Sequence, residues 1–297
     1  MQRTSSASST ALLIAASLAL QDERGLAAGR IPTTTIALAR QALRATGWPW
    51  QQIGWAVRFA VVRAAFDYLE RSTLPGIQSH YLLRKERLAV WAEQAYADGY
   101  RQLLVLGAGF DGLAADLAQR HADFNACEWD HPATQALKRE ALRATNFDTR
   151  NLGLHAVDIA RDDVSVTLVN SALEPGTPTL IVAEGLLMYL PLERCRQLLD
   201  TLTQRFTGPL RIAFSYMEHR AHGLPGFANA RPSVTRWLQR RGEPFLWACR
   251  YETLVRSLAD RHLHLLEADD ATTAPVSALP GWIACPGETL CLVQADR

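Results

Sequence analysis

The feature that most limits how this chain can fold is Leu103-Leu-Val-Leu106-Gly107-Ala108-Gly109-Phe-Asp111-Gly112, a short apolar run that breaks into glycines. Four consecutive apolar residues suit a strand covered on both faces, as in a parallel sheet. Glycine at 107 and 109 lets the backbone bend tightly and brings its N–H groups against a ligand where a side chain would collide. More short runs follow at 124–129, 154–157, 179–183 and 210–216, with helical segments such as 193–206 between them. Two final runs, 263–267 and 289–294, are close enough to pair as an antiparallel finish. The alternation predicts an α/β fold, Rossmann-like, with a mainly parallel seven-stranded sheet, helices on both faces and an antiparallel last strand. Residues 269–280 read as a loop.

The region before this sheet has a different grammar. Apolar residues recur at three- and four-residue spacing over 35–44 and 52–70, Pro75-Gly76 interrupts, and a further helix is predicted over 80–98. The chain therefore divides into an N-terminal helical extension or substrate lid, 1–98, and a ligand-binding domain, 99–297. Residues 11–20 are apolar and follow Arg3, in faint imitation of a secretory signal. That stretch is far shorter than the roughly 20 apolar residues of a membrane span, and an amphipathic helix in a cytoplasmic protein is the expectation. Lysine plus arginine number 31 against 30 acidic residues, so no bulk field draws in nucleic acid or a membrane. Five cysteines, with no C-x-x-C pair, predict neither disulfides nor a metal site. Oligomeric state is not specified.

Acidic residues recur at the ends of the predicted strands. Glu128 and Asp130 close the second, Asp130 standing 21 residues beyond Gly109 where it can accept from both ribose hydroxyls. Asp158-Ile159 follows the third strand, in the position to meet an adenine amino group, and Glu184 follows the fourth, with Tyr189 close behind. Ligands of open α/β sheets bind outside the carboxyl ends of the strands, so Asp111, Asp130, Asp158 and Glu184 are expected around one crevice. Each acid, taken alone, could equally be a helix cap. Several carboxylates and an aromatic ring suit a sulfonium cation and repel a pyrophosphate, which favours S-adenosyl-L-methionine as cofactor. Gly107, Gly109 and Gly112 also spell G-x-G-x-x-G, so an NAD(P)-dependent oxidoreductase stays open.

These segments together resemble the leucine carboxyl methyltransferase family, whose members methylate a protein's terminal leucine carboxylate or, in bacterial relatives, polyketide carboxyl groups. The resemblance rests on Leu-Gly107-Ala-Gly109-Phe-Asp111, on Glu128-Trp-Asp130-His131-Pro132 with Lys138, on Glu184-Gly-Leu-Leu-Met-Tyr189-Leu-Pro191, and on His80-Tyr-Leu-Leu-Arg84-Lys. It implies that Arg84 pairs with the carboxylate of the cofactor's methionine moiety and that the turn 107–109 passes beneath it. It further implies that Asp130 holds the ribose, Asp158 and Ile159 frame the adenine, and Glu184 lies near the methionine amine. The chain departs from the family at Gly112, where threonine is usual, and has no arginine among 113–116 to match the one that follows.

The expected acceptor is a carboxylate, or a hydroxyl, on a small molecule or peptide terminus. A carboxylate is already ionised at neutral pH and needs no general base, whereas a hydroxyl does. Candidates for that base are Tyr189, Tyr216 and His219. Residues 242–250 are expected to shape substrate choice, with Arg250 as a candidate anchor for an anion. A non-catalytic protein on the same scaffold is a further possibility, since a fold does not fix an activity.

Overall fold

The computed structural model describes residues 7–219, 225–270 and 279–296. Five helices come first: α1 (Ser9–Glu23), α2 (Thr33–Thr46), α3 (Trp50–Ala56), α4 (Ala60–Thr73) and α5 (Ile77–Ala97). The sheet region then runs β1 (Gln102–Leu106), α6 (Leu113–Arg120), β2 (Asn125–Asp130), α7 (Pro132–Arg143), β3 (Leu152–Ala156), α8 (Val164–Val169) and β4 (Thr179–Ala183). It continues through α9 (Leu192–Arg205), β5 (Leu210–Met217), α10 (Pro232–Arg240), α11 (Tyr251–Ala259), β6 (Leu263–Asp269) and β7 (Glu288–Ala295).

The seven strands form one sheet in the order β3-β2-β1-β4-β5-β7-β6. Strands β1 to β5 pair in parallel, and β7 runs antiparallel to both β5 and β6. The expected architecture and its antiparallel finish are therefore present. Every residue of β1 and β4 is buried, and side-chain alternation sends neighbours to opposite faces. Leu103 and Val105 join Leu180 and Val182 in a core under α1, α2, α5 and α6. Leu104 and Leu106 join Ile181 and Ala183 in a second core under α8, α9 and α11. The first core draws on residues before and after position 99, Leu12, Leu38 and Leu88 included, so the N-terminal helices pack as part of the sheet's cover.

Two local expectations are corrected. The helix read over 52–70 is two helices: Val57 is fully buried while Arg58 and Phe59 face solvent, and the chain turns there to seat Val57. The helix over 11–20 is not amphipathic. Residues 15–21 of α1 are all buried, because the helix is packed among α2, α3 and α5. Arg3 and most of the loop read over 269–280 lie outside the described residues. Among the described residues no helix is long and apolar enough to cross a membrane, and no cluster of ligating side chains could hold a metal.

Candidate active site

The chain leaves β1 towards β2 and β3 and then returns to β4 on the other side of β1, which opens a crevice at the carboxyl ends of β1 and β4. The glycine bend lies in that crevice. Gly107 and Gly109 have φ of 67° and 51°, the left-handed region that favours glycine. A side chain at 107 would also approach Leu186 Cδ1 to 3.2 Å. The bend is braced by the neighbouring strand: the Gly107 amide donates to the Trp129 carbonyl at 2.8 Å, and the Gly109 amide donates to Asp130 Oδ2 at 2.6 Å. Asp130 Oδ1 accepts the His131 amide at 2.6 Å.

Opposite the bend stands a buried ion network contributed by α5. Arg84 Nε donates to Glu184 Oε1 at 2.5 Å, and Arg84 Nη1 donates to both carboxylate oxygens of Glu288 at 2.6 and 2.5 Å. His80 Nε2 lies 2.8 Å from Glu288 Oε2. Lys85 Nζ bridges Asp111 Oδ2 and Glu184 Oε2, 2.6 Å from each. Burial alone would push these carboxyls up, but the cations outweigh it: Asp111 lies below the usual carboxylate range, and Glu288 falls to about 2. Burial works against the Lys85 ammonium, yet Asp111 and Glu184 raise its pKa, so it stays charged. The lining contributes four acids, Asp111, Asp130, Glu184 and Glu243, against three bases, Arg84, Lys85 and Arg241, leaving the cavity wall with an excess of negative charge.

Helix α1 closes the crevice with Ala11, Ile14, Ala15 and Leu18. Its N-terminus is held by Glu243, whose carboxylate accepts the Ser9 and Thr10 amides at 3.0 Å each and the Thr10 hydroxyl at 2.5 Å. An anion at a helix N-terminus satisfies otherwise unpaired N–H groups and the helix dipole. Tyr189 lines the same space, hydrogen-bonded to Thr10 and tilted against Phe245 at 5.3 Å. Burial pushes its phenol well above the usual range, so it is protonated at neutral pH and acts as a donor. His131 also lines the cavity, and its Nδ1 accepts the Ala133 amide at the start of α7.

The cavity thus gathers Arg84, Gly107, Ala108, Gly109, Asp111, Asp130, Glu184 and Tyr189. It does not gather all the expected residues. Glu128 is 1% exposed and paired with Lys138 at 2.6 Å beneath α7, because a strand residue two before Asp130 lies deeper under the helix. Asp158 accepts the Ala160 amide at 3.1 Å within the turn after β3, and Ile159 packs in the second core. Tyr216 is fully buried beside Trp247. His219 is exposed, tied by its amide to the Cys249 carbonyl, and Arg250 is exposed at the start of α11. Glu288 and Arg241 have no place in the sequence reading, while Glu243 enters it only within the segment 242–250 and Lys85 only as the neighbour of Arg84 in the resemblance. Lys85 adjoins Arg84, and Glu288 is a charge at the head of an apolar strand, which is the signal that could have found it.

Gly112 has a direct structural reason. A Cβ there would come within 2.4 Å of the Thr35 backbone nitrogen at the start of α2. Thr35 Oγ1 accepts the Gly112 amide at 3.2 Å and donates to Asp111 Oδ1 at 3.0 Å. A hydroxyl from α2 stands beside the bend where the family usually carries its own threonine.

Comparison with known proteins agrees with this architecture. A Mycolicibacterium smegmatis protein provisionally named an S-adenosyl-L-methionine-dependent methyltransferase is 34% identical over 57% of this chain and 55% of its own. A Mycobacterium tuberculosis protein with the same provisional name is 36% identical over 39% of this chain and 33% of its own. The matched stretches thus span about half or less of these curated relatives' length. The crystal structure of a provisionally assigned methyltransferase from Thermobifida fusca superposes with a TM-score of 0.59 at 20% identity, covering 91% of this chain and 97% of that one, which is a likeness of fold. Residues 36–203, more than half of the chain, match the leucine carboxyl methyltransferase family, and the protein belongs to it.

Proposed function

We propose that this protein is an S-adenosyl-L-methionine-dependent methyltransferase that transfers the methyl group to a carboxylate oxygen of a small molecule or peptide terminus. The observation that carries the reading is the acid-lined glycine bend at the β1/β4 crevice. Positive φ at Gly107 and Gly109 leaves a cradle without side chains, and the surplus of carboxylates around it fits a ligand with net positive charge. The names carried by the Mycolicibacterium and Mycobacterium relatives support the same cofactor.

When bound, the cofactor supplies an electrophilic methyl on a sulfonium. The chain's residues supply the seat. Asp130, already braced against the bend, would hold the ribose hydroxyls, and Glu184 would receive the amine. Arg84 commits Nε and Nη1 to Glu184 and Glu288, so a carboxylate would be met by Nη2, the nitrogen facing Gly185. Helix α1 gives this seat an apolar wall, which favours a reaction governed by positioning.

The choice of a carboxylate acceptor is supported by what the cavity wall contains. Of the three candidate bases only Tyr189 lines it, burial keeps its phenol protonated, and the Nδ1 of His131, the other titratable ring on the wall, is taken by the Ala133 amide. A carboxylate needs none. Two measurements test the reading. Titration calorimetry should show binding of S-adenosyl-L-methionine and none of NAD(P). A labelled-methyl screen should then give base-labile products with carboxylic acids. Binding of NAD(P) instead, or turnover confined to phenols and alcohols, would refute it.

A further inference from the structure

We propose that the outer face of α3 and α4 docks on an anionic lipid surface. No residue of either helix is buried. On α4 the outward positions are Ala60, Val61, Ala64, Ala65, Tyr68, Leu69, Arg71 and Ser72, which but for Arg71 follow the three- and four-residue spacing that ordinarily marks a helix's core-facing stripe. Here the stripe meets solvent: Val61 is 76% exposed, Tyr68 75% and Leu69 55%. Just before α4, Trp55 and Phe59 stand with ring centroids 4.9 Å apart and are 57% and 42% exposed, and Trp48, ahead of α3, is 82% exposed. So many large apolar side chains exposed within residues 48–69 mark an interaction surface.

Charge decides what the patch meets. The two acids of α4 are occupied on the protein side, Asp67 by Arg24 at 2.5 Å and Glu70 by the Gln78 amide at 3.2 Å. The three arginines of the segment pair with no carboxylate among the described residues. Arg58 lies over the Trp55 ring at 4.0 Å. Arg63 donates to the Val57 and Arg58 carbonyls, and Arg71 donates to the Asp67 carbonyl. An apolar stripe rimmed by cations is poorly matched to a second copy of itself, which would oppose arginine to arginine. Phosphate headgroups above an acyl boundary meet both parts: guanidinium groups take the phosphates, and tryptophan and valine enter the boundary. The net charge of +1 makes this a short-range contact requiring both components.

The test is co-sedimentation of the full chain with vesicles of phosphatidylcholine alone and of equal parts phosphatidylcholine and phosphatidylglycerol. Binding is expected to the mixed vesicles only, and to weaken as salt is raised. Arg58→Gln and Arg71→Gln should each lower the apparent affinity about fivefold, and the double variant Trp48→Ser/Trp55→Ser should abolish sedimentation while thermal melting stays unchanged. If that variant melts early, Val61→Asp, at a position 76% exposed, carries the same test. Absence of binding to the mixed vesicles, or equal binding to neutral ones, overturns the proposal. So does a dimer in analytical ultracentrifugation that Val61→Asp dissociates, since the face would then belong to a second copy of the chain.

Discussion

The ammonium of Lys85 lies 2.6 Å from Asp111 Oδ2 inside the crevice, and the same nitrogen is 2.6 Å from Glu184 Oε2. A cation of the protein's own therefore occupies the space between two acids that the proposed cofactor would meet. Replacing it by Lys85→Met leaves the buried Asp111 without its counter-ion and Glu184 with Arg84 alone. The empty protein should lose about 3 kcal/mol. A cationic ligand replaces what was lost, so saturating S-adenosyl-L-methionine should raise the melting temperature more in the variant than in the parent. Thermal-shift measurements with and without cofactor decide it, and equal shifts in both proteins would mean that Lys85 does not share the ligand's seat.

Asp130 has a narrower role. Its oxygens hold the Gly109 and His131 amides, which keeps the bend and the start of α7 in register. Asp130→Ala should weaken cofactor binding by roughly 1 to 3 kcal/mol through unpaired hydroxyls and amides. Calorimetry on the folded variant measures this, and unchanged affinity would remove Asp130 from the site.

How much of this was legible in the sequence follows from distance along the chain. The strand 103–106, its glycines and the acids at 111, 130 and 184 are local signals, because each sits at the end of an apolar run. The resemblance added Arg84 on the same terms. Glu128 and Asp130 look equivalent in sequence because they share one face of the strand, and only packing under α7 shows that Glu128 pairs with Lys138. Asp158 is ambiguous in sequence, because a carboxylate after a strand satisfies the turn amides as readily as a ligand, and here one of its oxygens accepts the Ala160 amide. The partners of Glu243 and Glu288 are not legible locally, since they lie 234 and 204 residues away; the charge of Glu288 at the head of an apolar strand marks the residue but not what it holds. The short apolar stretch of α1 suggests an amphipathic helix, and the burial of residues 15–21 depends on helices that sequence alone does not stack upon it.

Gly112 gives a test of that long-range packing. Gly112→Thr restores the residue usual in the family, yet the new Cβ would stand 2.4 Å from the Thr35 nitrogen, a backbone atom that cannot rotate away. Loss of about 2 kcal/mol or more is expected from overpacking, together with release of the N-terminus of α2. Denaturant melts report the first and hydrogen exchange over 33–38 the second. A variant as stable as the parent would show that α2 is not seated against the bend.

Glu243 holds the opposite wall. Glu243→Ala strips acceptors from the Ser9 and Thr10 amides, at a cost of about 1 kcal/mol. The exchange protection of α1 should fall more than that of α5. Ser8 also caps α1 through the Ala11 amide at 3.1 Å, so the helix should loosen at its first turn and remain formed beyond it. Uniform loss of protection along both helices would point to global destabilisation instead.

Glu288 gives the fold an acid-sensitive contribution. Burial pushes its carboxyl up, but Arg84 and His80 prevail and bring it to about 2, against 4.5 for an ordinary glutamate. A carboxylate depressed in the folded state adds stability that is complete above the unfolded value and is lost as pH falls towards the folded one. The contribution of this group should therefore hold at neutral pH and decline between about pH 4.5 and pH 2. Glu288→Gln removes it and leaves the buried Arg84 with Glu184 as its carboxylate partner, so at pH 7 the variant should be less stable by about 3 kcal/mol. Because the variant has no carboxyl to protonate there, its stability should also fall less steeply than the parent's below pH 4.5. Urea melts of both proteins across this range test the sign directly: parallel acid branches would show that the Arg84–Glu288 pair is not what the acid breaks.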